Sequence, residues 1–197
     1  MRFNLGKLFS IQDNWSAARK EFEAALRIDP LYVESLDGLG FAQEALGDGA
    51  GAVASYEKAI AINEAKKGKF VSAHVNLSAY YNRQSDYEKA LAYARAAWEL
   101  EPKSDGAWFQ EAKAREGQGR LMDAVDALNH AISINPRASS YYYVLSHVYR
   151  RLGREEDSRK ALDSFVRLEK ETSELEETRR KLGNRSANTP QPRSQRD

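Results

Sequence analysis

Cysteine is absent from this 197-residue chain, which removes disulfides, thiolate nucleophiles and cysteine-ligated zinc from its chemistry. The same absence suits the cytosol and an oxidising compartment alike; the cytoplasm is the simpler expectation, with the periplasm and secretion left open. There are three histidines, His74, His130 and His147, and no two are four residues apart, so no paired metal-ligand motif exists. Five prolines are too few to interrupt helices throughout the chain. No run approaches the roughly 18 apolar residues a membrane span needs, so membrane insertion is not expected. Charge of one sign is also lacking. The formal net charge is +1, and residues 183–197 hold three arginines and one aspartate, which leaves the rest at −1. Such a balance argues against nucleic acid as a partner, because that needs a concentrated basic face.

What is present is a repeated pair of short helices. Residues 5–30 carry Leu5, Gly6 and Phe9 on one segment, and Ala18, Phe22, Ala25 and the closing Pro30 on the next. Small residues sit where two helices come close, and large ones fill the gap between them. Proline ends the second segment because it lacks an amide hydrogen and restricts the residue before it. The small slot of the second helix recurs as Ala18, Ala52, Ala90, Ala124 and Ser158, and the bulky slot as Phe22, Tyr56, Ala94, Leu128 and Leu162. The close-approach slot of the first helix runs Gly6, Gly40, Ser78, Ala112 and Ser146. The spacing is 34, 38, 34 and 34 residues in every series. A helix-turn-helix period of about 34 residues marks a solenoid.

These residues resemble the tetratricopeptide repeat, with an aromatic, leucine-glycine, tyrosine, alanine, aromatic, alanine and proline in order. The match runs through Leu5, Gly6, Phe9, Ala18, Phe22, Ala25 and Pro30; Leu77, Tyr81, Ala90, Ala97 and Pro102; and Trp108, Ala112, Ala124, Ala131 and Pro136. It covers roughly residues 3–170. The resemblance implies an all-α, right-handed solenoid of about five helix-turn-helix units, over residues 1–31, 32–66, 71–104, 105–138 and 139–170. Leu168, Leu175 and Leu182 keep a seven-residue spacing that predicts a capping helix to 182. Ser173 and Glu176 fit a capping box, placing a break near Thr172. Residues 183–197 lack large apolar side chains and read as a disordered tail. The first aromatic slot falls near Arg2, which fits a fragment of a longer array or a start chosen for expression.

Departures from the pattern carry further expectations. Four extra residues, 67–70, separate the second and third repeats, and the helix there is expected to reach Lys67 and end at Gly68. Glu111 and Arg115 replace the leucine and tyrosine of the fourth repeat. A buried ion pair carries a desolvation cost of several kcal/mol per ion, so this pair is expected to stay partly wet. The glycine-rich run at residues 47–51 imitates a phosphate loop but follows a helix, so it reads as an internal turn. Among Tyr141, Tyr142 and Tyr143, helical geometry separates the roles: Tyr142 packs, Tyr143 faces the groove, Tyr141 an edge. His74 falls in a packing slot.

In the tetratricopeptide-repeat family the first helices line the concave groove. Register then places Phe3, Lys7, Asp37, Phe41, Glu44, Val75, Asn76, Ala79, Asn82, Arg83, Phe109, Lys113, Tyr143, His147 and Arg150 on that face. Phe41, Phe109 and Tyr143 would bury partner side chains, Asn76 and Asn82 would hold partner backbone, and Asp37, Lys113 and Arg150 would set orientation. Each also suits an ordinary solvated helix. The family's carboxylate clamp is not reproduced: Lys7 fills one slot, but the next repeat offers Asp37 and Gly38. The expected function is a non-enzymatic scaffold for a protein or peptide, with no cofactor and no catalytic residue. Two rivals stand beside it. One is the substrate-docking part of a larger enzyme, such as a glycosyltransferase, whose catalytic domain lies outside the chain. The other is a module that self-associates through its exposed N-terminal repeat.

Overall fold

A small residue can bring two helix backbones together only if the facing helix supplies a side chain that fills the space. This complementarity sets the architecture. The structure, a computed structural model, describes residues 1–187, with side chains described through Arg180. Among these residues it is helical throughout, without strands. The first unit, Met1–Asn135, contains four helix pairs: α1 (Arg2–Ile11) with α2 (Trp15–Ile28), α3 (Val33–Ala45) with α4 (Gly49–Ala65), α5 (Ser72–Arg83) with α6 (Tyr87–Leu100), and α7 (Asp105–Gly117) with α8 (Leu121–Ile134). The second unit, from Pro136 on, pairs α9 (Ser139–Arg151) with α10 (Glu155–Ala187). The fold is an all-α solenoid of helix-turn-helix units.

Each internal turn has the same construction. One residue takes a left-handed conformation, at Asp13, Gly47, Ser85, Gly119 and Gly153, and these positions repeat the 34, 38, 34, 34 spacing. In three turns the next residue caps the second helix. The Asn14, Asp48 and Asp86 side chains accept from the backbone N–H groups of Ala17, Gly51 and Lys89 at 3.2, 2.9 and 3.3 Å. Each cap satisfies an amide that otherwise lacks a partner, worth about 1 kcal/mol. The run at residues 47–51 is therefore a turn and a cap.

The close-approach slot co-adjusts with the bulky slot. A Cβ on Gly6 would stand 2.6 Å from the Phe22 ring, and one on Gly40 would stand 2.7 Å from Tyr56. Where the bulky slot shrinks to Ala94, Ser78 fits instead and donates its hydroxyl to the Ala90 carbonyl at 2.7 Å. Opposite Leu128 stands Ala112; both are fully buried. Phe22 also lies against Gly38 of the following pair, so one ring ties two repeats together. Tyr56 joins Val33, Leu36, Ala59, Ala73 and Leu77 in a core shared by α3, α4 and α5. Burying side chains of this size is worth roughly 1.5–3 kcal/mol each.

Four expectations are corrected. First, Glu111 and Arg115 are both buried, each 7% exposed. Arg115 donates to Glu111 Oε1 through Nε and Nη2 at 3.3 and 3.0 Å, and Trp98 Nε1 donates to Glu111 Oε2 at 2.8 Å. Arg115 also lies 3.8 Å from Asp123. This shell of partners offsets the desolvation that made burial unfavourable. Second, α4 ends at Ala65, and Lys67 takes the left-handed position. Gly68 follows one residue later, where a Cβ would meet Asn63 Oδ1 at 2.2 Å. Asn63 organises the four-residue insertion: its Nδ2 donates to the Gly68 and Phe70 carbonyls at 3.2 and 3.1 Å, and its Oδ1 accepts from Phe70 N–H at 3.1 Å. Third, α10 runs without a break through Thr172, whose hydroxyl bonds back to the Leu168 carbonyl at 2.9 Å instead of yielding to a new cap at Ser173. It continues to Ala187; residues 188–197 of the stretch read as a tail lie outside the described residues. Fourth, Tyr141 is buried and does not sit at an edge.

Candidate functional site

Successive first helices of the Met1–Asn135 unit are laced together by polar side chains. The Asp37 carboxylate on α3 accepts from Ser72 Oγ at 2.7 Å and from Asn76 Nδ2 at 2.8 Å, both on α5. Burial raises its pKa above the usual carboxylate range, while those two hydrogen bonds oppose the shift. Asn82 on α5 donates to the backbone and side-chain carbonyls of Gln110 on α7, at 3.0 and 3.1 Å. Glu44 on α3 and Arg83 on α5 form an ion pair. Register names Asp37, Glu44, Asn76, Asn82 and Arg83 for this face, but not their partners Ser72 and Gln110. It did not predict that Asp37, Asn76, Asn82 and Arg83 would be engaged with one another's helices. Their first task is to fix the spacing of the face.

The apolar members stand differently. Phe41 on α3 is 47% exposed and packs edge-on against Trp15 of α2, ring centres 5.4 Å apart. Trp15 is the residue that register missed, because it opens a second helix; an aromatic directly after the Asn14 cap was the available signal. On α7, Lys113 holds its ammonium 5.8 Å from the Phe109 ring centre. Burial first, and then the neighbouring Arg83, lower the Lys113 pKa from the ordinary lysine value. On α1, Lys7 reaches the Phe3 ring at 5.7 Å, and Phe3 contacts the rings of Phe22 and Tyr32. Val75 and Ala79 are half-buried on α5.

The second unit carries its own cluster. Tyr143 on α9 is exposed, with His147 at 4.5 Å and Phe165 of α10 at 5.3 Å between ring centres. Arg150 lies 2.7 Å from His147 Nδ1. His74 is buried and His130 stacks on Trp108 at 4.5 Å, so neither histidine joins a site. Among the described residues, no group of three histidine, aspartate or glutamate side chains could hold a metal ion. No helix there is long and apolar enough to cross a membrane.

The arrangement compares directly with known proteins. Models described as Tetratricopeptide repeat match residues 3–68, 81–148 and 139–172. The fold resembles a crystal structure of MamA, with 19% sequence identity and a TM-score of 0.68 over 86% of this chain and 97% of that one. Residues 41 to the end of MamA from Desulfovibrio magneticus RS-1 give the same identity and score over 86% and 94%. A chain of the APC/C hetero-tetramer Cut9-Hcn1 gives 16% identity and a TM-score of 0.75, over 85% of this chain and 33% of that one. At such identities the likeness is one of fold. From its repeat models and its helix-turn-helix register, the chain belongs to the tetratricopeptide-repeat family.

Proposed function

We propose that the chain is a non-enzymatic interaction module that takes a protein segment on the first-helix face of the Met1–Asn135 unit. The observation that carries this reading is Phe41, a large aromatic left half exposed beside Trp15 on a face whose polar residues are otherwise tied to one another. A rigid platform with an apolar anchor favours binding, because little ordering entropy is lost when the partner arrives. Aromatic anchors dominate such contacts. The Lys113 ammonium on Phe109 supplies a desolvated cation two repeats away. An extended or helical segment with an aliphatic or aromatic anchor and an acidic residue suits the pair. The similarity to a chain of a hetero-tetramer supports the same class of function.

A peptide-display selection on the purified chain tests this, with the double variant Phe41→Ala/Phe109→Ala as a parallel bait. Peptides sharing a motif should be enriched on the natural chain and lost on the double variant. Equal recovery on both baits would sink the assignment to this face.

A further inference from the structure

Within the Met1–Asn135 unit the repeat register presents one corner three times over. Each corner joins a residue of one second helix, a residue near the end of the next first helix, and the residue immediately before the following second helix. Around α2, α3 and α4 these are Glu23, Gln43 and Asp48; around α4, α5 and α6 they are Glu57, Tyr81 and Asp86. Around α6, α7 and α8 they are Arg95, Arg115 and Arg120. Two carboxylates in each of the first two corners give way to three guanidinium groups in the third, and these three line one cavity of about 710 Å³. Arg120 also replaces a cap, so α8 begins without the side-chain hydrogen bond that Asn14, Asp48 and Asp86 provide. The donors are not used up. The buried Arg115 commits Nε and Nη2 to Glu111, but its Nη1 has only Asp123 at 3.8 Å, beyond hydrogen-bond range. Arg120 pairs with the same Asp123. Arg95 is exposed and, among the described residues, has no hydrogen bond or ion pair. The acid on the lining, Glu88, is held by Gln118 Nε2 at 2.7 Å, while Gln118 Oε1 is buried without a donor.

We propose that this corner is a second binding site, for an anionic side chain of a partner protein: a carboxylate or a phosphate ester held by Arg95, Arg120 and Nη1 of Arg115. Guanidinium groups suit such oxyanions because their planar forks donate two parallel hydrogen bonds, each strengthened by charge. The other lining groups select a peptide over a free inorganic anion. The cavity is far larger than one oxyanion, Leu91 gives it an apolar wall, and Gln118 Oε1 lacks a donor. A peptide segment brings aliphatic carbon for the wall and a backbone N–H for the amide, together with its charge. The site is separate from the first-helix face. Arg115 and Gln118 follow Lys113 by two and five residues, and at about 100° per residue both lie on the other side of α7.

Nuclear magnetic resonance of the arginine Nε–H groups in the full chain tests the proposal at constant ionic strength. The probes are a short alanine-glycine peptide with a central phosphoserine, the same peptide with glutamate or serine there, and inorganic phosphate. The phosphoserine or the glutamate peptide should shift the Arg95 and Arg120 signals saturably, and the tighter of the two names the oxyanion. The serine peptide should leave them in place, and inorganic phosphate should bind more weakly than the better peptide. Arg83, on the first-helix face, should not move, which keeps this result distinct from peptide capture at Phe41. Arg95→Glu, which copies Glu57, should weaken binding by about tenfold or more, and Arg95→Gln by less. Both variants change an exposed, unpaired side chain and should fold, as circular dichroism will check. Three results would overturn the proposal: no saturable shift with either charged peptide, unchanged affinity in Arg95→Glu, or inorganic phosphate binding as tightly as the better peptide.

Discussion

The third and fourth repeats place different chemistry in the same slots. Leu77 and Tyr81 on α5 stand 34 residues before Glu111 and Arg115 on α7. Leu77 is fully buried, and Tyr81 stacks on Tyr93 with ring planes within 3°. At the equivalent positions one turn of the solenoid later lies a buried ion pair. The difference is explained by the preceding second helix. Before Leu77 stands Ile60, which can only pack; in the same slot before Glu111 stands Trp98, whose indole N–H reaches the carboxylate. The backbone fixes the slot, and the neighbour's donors decide whether a charge can live in it.

The largest expected effect comes from breaking that pair on one side. Glu111→Leu leaves the Arg115 guanidinium buried without its carboxylate and should cost about 3–5 kcal/mol in urea unfolding. Importing the third repeat's solution, Glu111→Leu/Arg115→Tyr, should recover most of the loss, because replacing a buried pair by packed residues is often neutral or stabilising by about 1–4 kcal/mol. The reverse graft, Leu77→Glu/Tyr81→Arg, should remain strongly destabilised, since Ile60 offers no donor. A stable reverse graft would refute the role given to Trp98.

A second contrast concerns the close-approach slot. Gly40 faces Tyr56, whereas Ala112 faces Leu128. Gly40→Ala puts a Cβ 2.7 Å from the ring and should cost about 1–3 kcal/mol through overpacking, despite alanine's better helix propensity. Gly40→Ala with Tyr56→Leu, the fourth repeat's combination, should lose less than Gly40→Ala alone. Thermal unfolding of the three chains would show it.

Much of this was legible in the sequence and some was not, for a consistent reason. A period of 34 residues identifies slots, and small or bulky residues in those slots dictate helix pairing; the left-handed residues and the caps of the internal turns come from the structure. The burial of Glu111 has no local signal, because its essential partner, Trp98, lies 13 residues back on another helix. Register shows which face Asn76 and Asn82 occupy but not that Asp37 and Gln110 accept from their amides. The helix stops short of Lys67, which takes the left-handed position, because Asn63 holds the Gly68 carbonyl and fixes the loop from within. Side-chain hydrogen bonds across helices have no periodic signature.

The same loop alters the next slot. Trp108 Nε1 donates to the Pro102 carbonyl at 3.2 Å, and in the second unit Tyr142 donates to the Pro136 carbonyl at 3.2 Å. In the third repeat Gly68 stands where those prolines stand, and its carbonyl is taken by Asn63. His74, in the Trp108 slot, is left buried with Nδ1 unpartnered. Burial lowers its pKa below the ordinary 6.5, with Glu64 opposing. In the folded state the ring is thus harder to protonate than in the unfolded chain. Its contribution to stability is fully present above about 6.5 and falls as pH drops from there toward the folded-state pKa. His74→Leu, which copies Leu36 in the second repeat, should stabilise by about 1 kcal/mol at pH 7.5, and the advantage should grow at pH 5.5. Urea midpoints at the two pH values check it; an advantage that shrinks in acid would contradict the burial argument.

The smallest effect should come from a more exposed Arg–glutamate pair, Glu44 with Arg83. Its side chains are 20% and 49% exposed, against 9% and 8% for Glu111 and Arg115. Water solvates both ions whether or not they meet, so little desolvation is committed and little is lost on separation. Arg83→Gln should cost at most about 1 kcal/mol, and the difference should fade in high salt because exposed charges are screened within roughly 10 Å at 0.1 M. The Arg115→Gln loss should survive the same salt. If both variants respond to salt alike, then burial is not what separates the two pairs, and the contrast between the third and fourth repeats would have to rest on packing alone.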